Sequence, residues 1–572
     1  MTGGALATDR CAVEFAAASA GVERLTWGQG VIWRAVQDYV PGDEPRSLAF
    51  AVEVPAGVDR AAVLGALREL LVRNETLRTT YRRGEDGEPV QVVAGRGRIE
   101  VDIEEVAGTD LARRRAALWQ RLNRVHFTAD GWPLRIGVLE AGGRPRVIAV
   151  GLSHLAVDLW SLPRLAGQLD RLLHGRPAGP PARQPREQAR HERSAAGRGA
   201  GEAGLRYWQA QLTSCPQTML PGPRRQAGRS PRRRAVLYSP PLAATLGRLA
   251  RVHRLTPASL LLAATAFVLA ARRGEAGRHR FTCLTTVGHR FDPALRDYVG
   301  TTAQHAPVSF EVDPDSLLRT ARAALPALLA AGRYSQADPV AVARLAARVA
   351  ADRGIALDWL VVNIHGHEPV TGSATGSANA APGPGRTDVF DWLPSVEPGI
   401  APWELEVRLA GGLGTLELAV DPAAVAPADV EPTLRGLVRL LDPTAGPDPT
   451  VADAGAGAVP GGLVRVDSCW VDLSAVTGLL AEVTGSPAAA FLERAGEGGA
   501  RIVGFVRPED PLLTPEALHA RCLAALPGRS TAITPHVYVL CASAPAEVGS
   551  RDGWTRQTVL SRGTGRRQDT GS

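Results

Sequence analysis

The sequence predicts a mixed α/β chain built as two halves of similar size, followed by a smaller α/β unit. Three observations carry this reading. Strand-like and helix-like patterns alternate from residue 48 to residue 441. A stretch dense in Pro, Arg, Gly and Ala, residues 176–204, separates the two halves. A Gly-, Ala- and Pro-rich segment, residues 444–462, then precedes a further run of strand and helix patterns. With 572 residues the chain has room for about three or four domain-sized units.

Taken in order, residues 48–54 alternate as a half-buried strand does, and residues 60–74 carry Val63, Ala66, Leu67, Leu70 and Leu71 at helical spacing. Residues 98–104 alternate again and residues 110–124 are amphipathic. The apolar run 147–152 has the length of a buried strand and leads directly into His154; a helix over 162–173 follows. In the second half, helical patterns come at 205–212, 242–252 and 257–271. The last is the longest apolar run, yet too short to span a bilayer, so it predicts a buried core helix. Thr256 caps it, Pro257 suits its first position, and Arg272 and Arg273 suit its C-terminal end. Strands are expected over 280–287, 306–310 and 360–364, a hairpin over 404–408 and 414–420, and a closing helix over 428–441. Residues 366–386 read as a long loop, 444–462 as a linker and domain boundary, and 563–572 as a disordered tail. Between linker and tail, strands are expected at 488–492, 502–506 and 536–540, with a helix over 515–526.

All 65 basic residues are arginines, and with 61 Gly and 43 Pro this fits the GC-rich coding of an actinobacterial gene. The net charge is +7, but much of the excess lies in two stretches, 183–198 and 224–234, without interleaved aromatics for base stacking. They read as solvated loop charge, so no nucleic-acid partner is expected; a basic surface suits an acidic protein partner instead. The six cysteines lack C-x-x-C or metal-ligand spacing, and the first ten residues lack the design of a signal peptide. A cytoplasmic protein without metal or membrane contact is the expectation.

Candidate chemistry centres on Ser153-His154-Leu155-Ala156-Val157-Asp158-Leu159-Trp160-Ser161. One imidazole stands at the end of a buried strand, and a carboxylate follows four residues later in the turn. The imidazole can take a proton from an attacking amine or hydroxyl near neutral pH. The carboxylate can fix the turn by pairing with a cation from elsewhere. Ser153 is not poised as a nucleophile on His154, because adjacent strand residues point to opposite faces. No Gly-rich phosphate loop or Ser-His-Asp constellation stands out.

Six segments in order resemble the condensation domains of nonribosomal peptide synthetases, within the chloramphenicol-acetyltransferase-like superfamily. Leu25-Thr26-Trp27-Gly28-Gln29-Gly30-Val31-Ile32-Trp33 is similar to the family's S-x-A-Q-x-R-L-W. Arg73-Asn74-Glu75-Thr76-Leu77-Arg78-Thr79-Thr80-Tyr81 resembles R-H-E-x-L-R-T-x-F, and residues 153–161 resemble the H-H-x-x-x-D-G stretch. Tyr207-Trp208 with Leu220-Pro221, then Thr285-Thr286-Val287-Gly288-His289-Arg290, are similar to Y-W…L-P and T-P-V-A-G-R. Residues 298–308 resemble V-G-x-F-V-N-T-L-P-L. The resemblance implies two acetyltransferase-like lobes in a V, here residues 20–175 and 205–443, with a tunnel between them. Carrier proteins would bring acyl thioesters on phosphopantetheine arms to the two mouths, so no cofactor of the chain's own is implied. His154 would accept a proton from the acceptor amine or orient it. Asp158 would pair with Arg290, and Ser153 and Arg78 would support the site. Three positions depart from the pattern: Ser153 replaces a His, Leu159 a Gly and Gln304 an Asn. Leu159, with Trp160 and Gln304, is expected at the tunnel, where an isobutyl group narrows the path.

Residues 463–476 resemble the start of an adenylation enzyme's small lobe, which residues 463–562 would complete. The large ATP-binding lobe is missing, and so is the lysine that family uses near the end of the small lobe, so this unit is not expected to activate an acid. It would be a packing partner, or a docking module for a carrier or a separate adenylation enzyme. The function implied is a free-standing condensation enzyme forming an amide or ester from a carrier-bound thioester. The alternatives are a degenerate module that binds carriers or recruits enzymes without chemistry, and a coenzyme-A-dependent acyltransferase.

Overall fold

The computed structural model describes residues 8–37, 47–180, 182–220, 231–275, 277–365, 387–396, 401–410, 412–442, 446–455, 462–495 and 499–566. The first half is built on a five-stranded sheet with the order Thr8–Ala16, Arg96–Glu105, Leu134–Glu140, Pro145–Ser153, Ser47–Glu53. Pro145–Ser153 is buried along almost its whole length because it has a strand on each side and helices against the sheet. Arg60–Arg73 and Leu162–Leu173 press Leu67, Leu71, Leu165 and Leu169 onto Phe50, Val101 and Ile148. Period-2 strands and period-3.6 helices thus meet in one core. A small sheet of Gly21–Arg24, Pro89–Val93 and Thr79–Arg83 stands beside it.

The second half is a seven-stranded sheet in the order Gln304–Val312, His279–Val287, Leu360–His365, Trp403–Ala410, Leu413–Val420, Arg232–Ser239, Val389–Val396. Pro257–Arg273, capped at Thr256, is the expected core helix; its side chains from Ser259 to Ala270 are buried. No single described helix is long and apolar enough to cross a membrane.

Of residues 176–204, the described residues before Pro185 lie outside helix and strand, but from Pro185 onward the expected loop is not found. Pro185–Arg193 and Ala195–Ser214 are helices, and Gly197, Gly201 and Gly204 are contact points. A Cβ on Gly204 would come within 2.1 Å of the Gln336 carbonyl oxygen, and one on Gly201 within 2.9 Å of the Trp27 ring. Close approach, not flexibility, calls for glycine there. The Arg-rich stretch 224–234 is also corrected in part. Its residues up to 230 lie outside the described set, but Arg232 and Arg234 belong to a strand and pair across it with Glu404 (2.7 Å) and Glu417 (3.4 Å). The long loop expected over 366–386 lies outside the described residues.

Within residues 444–462, the described part is strapped to the seven-stranded half. Leu317 N donates to Pro449 O (2.9 Å) and Val451 N to Pro314 O (2.8 Å), with Val451 and Ala454 buried. The C-terminal unit follows as a hairpin, Leu463–Val466 with Cys469–Asp472, and a four-stranded sheet in the order Ala488–Ala495, Gly499–Val506, Val537–Cys541, Val559–Gly563. It shares its core with Ile355 of the second half. Gln217 bonds both backbone groups of Trp470, and Thr534 N donates to Gly354 O (2.8 Å). The tail expected from residue 563 begins as the end of a strand, and Arg566 donates to Arg353 O (3.4 Å); residues 567–572 lie outside the described set.

Candidate functional site

His154 follows the last residue of the strand Pro145–Ser153, where that strand's pairing ends and a tight turn begins. Ala156 N and Val157 N both donate to Ser153 O (3.0 and 3.2 Å), which winds the chain back on itself. The ring is held from within the turn, with Nδ1 3.0 Å from Val157 O. The Ser153 hydroxyl accepts from Leu155 N (3.3 Å), so it braces the turn.

Asp158 is fully buried and its two oxygens hold the two halves together. Arg290 donates from both terminal nitrogens, at 2.9 Å to Oδ2 and 2.6 Å to Oδ1. Thr302 N and Ala303 N donate to Oδ2 (3.0 and 3.2 Å), and Ser161 N to Oδ1 (3.1 Å). Burial opposes the charge, but the Arg290 guanidinium and these N–H groups outweigh it and hold the carboxyl below its ordinary range. The pairing expected between Asp158 and Arg290 is therefore present. Arg290 reaches it because His289 adopts a left-handed φ of 46°, and it also donates to Gly288 O (3.0 Å) and Gly300 O (3.1 Å).

Arg78 stands elsewhere. Its buried guanidinium donates to Leu71 O (3.1 Å), Ser19 O (2.7 Å) and Ala94 O (2.5 Å), and to none of the residues of the His154 turn. From the same motif it is Thr76 and Tyr81 that touch the turn: the Thr76 hydroxyl donates to Ala156 O and Tyr81 OH to Leu155 O (3.1 Å). From the other half Thr301 Oγ1 donates to His154 O (2.8 Å). Sequence reasoning did not single out these three hydroxyls, although all three lie in quoted motifs, where their polar character was the available signal.

A cavity of about 220 Å³ opens at His154. It is lined by Leu159 and Trp160, by Val31 and Ile32 of the helix Trp27–Gln37, and by Gln304, His305, His365 and Glu406 of the seven-stranded sheet. Leu159 is 40% exposed and faces this space. Trp160 lies flat against Gly288, where a Cβ would sit 2.8 Å from the ring. Gln304 lines the cavity with its amide committed elsewhere: Nε2 donates to Ala337 O (2.9 Å) and Oε1 accepts from Ala337 N (3.3 Å). Among the lining residues from the sheet, His365 Nε2 lies 2.6 Å from Glu406 Oε2. Burial opposes the charge of Glu406, but His365 and Arg408 override it and keep the carboxyl below its usual range.

A larger cavity, about 690 Å³, lies across the helix Trp27–Gln37 and is lined by Trp27, Trp33, Arg34, Glu192, Arg193 and Pro339 among others. Burial pushes the Glu192 carboxyl up to about 7 despite its bonds from Gln188 Nε2 (3.0 Å) and Trp27 N (2.7 Å). Among the described residues no group of three or more His, Cys, Asp or Glu is arranged to hold a metal ion.

A family model described as Condensation domain matches residues 35–334. Among curated proteins, the AMB antimetabolite synthetase AmbB of Pseudomonas aeruginosa is 28% identical over 266 residues, 45% of this chain and 21% of that synthetase. The nonribosomal peptide synthetase agiA of Aspergillus flavus is 28% identical over 315 residues, 51% of this chain and 4% of that protein. The chain thus spans a small part of the length of these relatives. Among solved structures, the condensation domain of the Monacolin K polyketide synthase MokA aligns with TM-score 0.58 at 18% identity, covering 76% of this chain and 100% of that one. SgcC5 from Streptomyces globisporus aligns with TM-score 0.56 at 19% identity, with the same two coverages. The first condensation domain of the calcium-dependent antibiotic synthetase gives 0.54 at 18%, over 75% and 98%.

Proposed function

This chain belongs to the condensation-domain family, and from that premise we propose that it joins an acceptor amine or hydroxyl to an acyl group delivered as a carrier-bound thioester. It would act as a free-standing enzyme, with residues 20–175 and 205–443 as its two lobes. The observation that carries this reading is the His154 ring on a cavity bounded by both halves, on a turn fixed by Asp158 and Arg290. Holding acceptor and thioester together in such a space removes much of the entropic barrier. His154 then takes the proton as nitrogen or oxygen attacks the carbonyl carbon, and the C–S bond breaks to release the pantetheine thiol. Partner carrier proteins supply the arm.

Incubating the full chain with an acyl-loaded carrier and an aminoacyl-loaded carrier, and weighing both intact, tests this. Transfer by the wild type and its loss, by about 100-fold or more, in His154→Ala is the expected result. Equal transfer by the variant would overturn the mechanism.

Leu159 favours a second reading, a module that binds carriers without chemistry, because its side chain occupies cavity wall where the family pattern has glycine. Product in the same assay removes that reading. Residues 463–562 are read as an adenylation small-lobe-like unit that serves as packing partner or docking module.

A further inference from the structure

His365 lines the same cavity as His154, and the reaction as derived so far makes no use of it. It ends the strand Leu360–His365, whose parallel register sets Asn363 beside Glu406 and His365 beside Arg408. Its Nε2 lies 2.6 Å from Glu406 Oε2, while Glu406 Oε1 accepts from Asn363 Nδ2 (2.6 Å). Asn363 Oδ1 in turn accepts from Thr286 N (2.9 Å), in the segment that leads to Arg290. The carboxylate that orients this imidazole is therefore itself held at both oxygens.

An ionised Glu406 can only accept, so Nε2 carries the hydrogen and Nδ1 the lone pair. Among the described residues no hydrogen-bond partner takes Nδ1. A carboxylate behind a ring fixes its tautomer and stabilises the cation formed when the other nitrogen takes a proton. The charged and titratable groups around the pair are His154, Asp158 with Arg290, His305, Glu404 with Arg232, and Arg408, whose guanidinium lies 4.0 Å from Glu406.

We propose that His365 is a second proton acceptor of this site, one that deprotonates an ammonium acceptor before attack. The inference rests on the condensation reading above. An amine that arrives as an ammonium ion must lose two protons to become an amide nitrogen. His365 takes the first, which frees the lone pair, and returns it to solvent. The C–N bond then forms, the C–S bond breaks, and His154 carries the second proton from nitrogen to the departing sulfur. One thiol, one amide and one released proton balance the step without any oxidant or metal.

Two measurements on the full-length protein test this. In the first, octanoyl-N-acetylcysteamine is the donor, and propylamine, cationic near neutral pH, is compared with methoxyamine, which arrives uncharged. His365→Gln should slow kcat for propylamine about 100-fold and leave methoxyamine within about twofold, and Glu406→Gln should follow the same pattern more weakly. Equal effects on both acceptors, or none on either, overturn the proposal. Loss of both acceptors in His154→Ala with the His365→Gln split absent would leave the condensation reading standing and remove only this inference. The second measurement is nitrogen NMR of histidine-labelled protein and needs no turnover. His365 should be the Nε2–H tautomer in the wild type and lose that preference in Glu406→Gln. An Nδ1–H tautomer in the wild type denies the ring its base and overturns the proposal whatever the kinetics.

Discussion

Asp158 is held from four sides: Arg290, Ser161, Thr302 and Ala303 all donate to it at a fully buried position. Such a pair is worth little compared with a packed apolar substitute, but removing one partner strands the other charge. Arg290→Ala should therefore cost about 3–5 kcal/mol in urea unfolding. Arg290→Lys should recover only part, since one ammonium cannot span both carboxylate oxygens and also reach Gly288 and Gly300. A loss below about 1 kcal/mol for Arg290→Ala would mean the position is wet. The partnership was legible in the sequence only because both residues sit in recognisable motifs 132 positions apart. Thr301, Thr76 and Tyr81 act through one hydroxyl each on a carbonyl, and nothing in local pattern says which of many hydroxyls will find one. Arg78, singled out by the same motif, spends its donors on Ser19, Leu71 and Ala94, in a different part of the fold.

At the scale of elements, Leu162–Leu173 and Pro257–Arg273 are legible to within a few residues, whereas the helices Leu317–Tyr334 and Pro339–Arg353 were not read at all. Of Ala195–Ser214 only the part at 205–212 is legible, because the N-terminal half is written in Gly, Ala, Arg and Glu, a composition that propensity alone counts against helix. Tertiary contact overrides it. Gly204→Ala should destabilise by about 1–3 kcal/mol despite the better helix former, since its Cβ would meet the Gln336 carbonyl oxygen at 2.1 Å. Gly199→Ala, on the same helix with nothing within 4 Å, should stabilise by about 0.5–1 kcal/mol. Thermal unfolding of the two variants side by side checks the argument; matching shifts would defeat it. Arg232–Ser239 was hidden for a related reason: its arginines read as solvent-facing until their cross-strand glutamates are in view.

Over the whole molecule, two buried groups pull the pH dependence of stability in opposite directions. Burial lowers His289 to about 4, so between about 4 and its ordinary 6.5 the unfolded chain binds the proton better and stability rises with pH. Burial raises Glu192 from 4.5 to about 7, so over that window the folded chain keeps a proton the unfolded chain has lost, and stability falls as pH rises. Glu192→Gln, neutral throughout, should gain on the wild type between pH 4.5 and 7, reaching about 3 kcal/mol at the upper end. Urea titrations at a series of pH values measure the difference; a gap independent of pH would show Glu192 ionised throughout.

The clasp at Asp158 also limits how the molecule can breathe. The two sheets are stitched there, at the reacting ring, by a charge neither side can release cheaply. Any movement that parts the two halves at His154 must then break both Arg290 bonds to Asp158 together with those from Thr302 and Ala303. The turn that carries His154 is thus anchored from the second half of the chain as firmly as from its own.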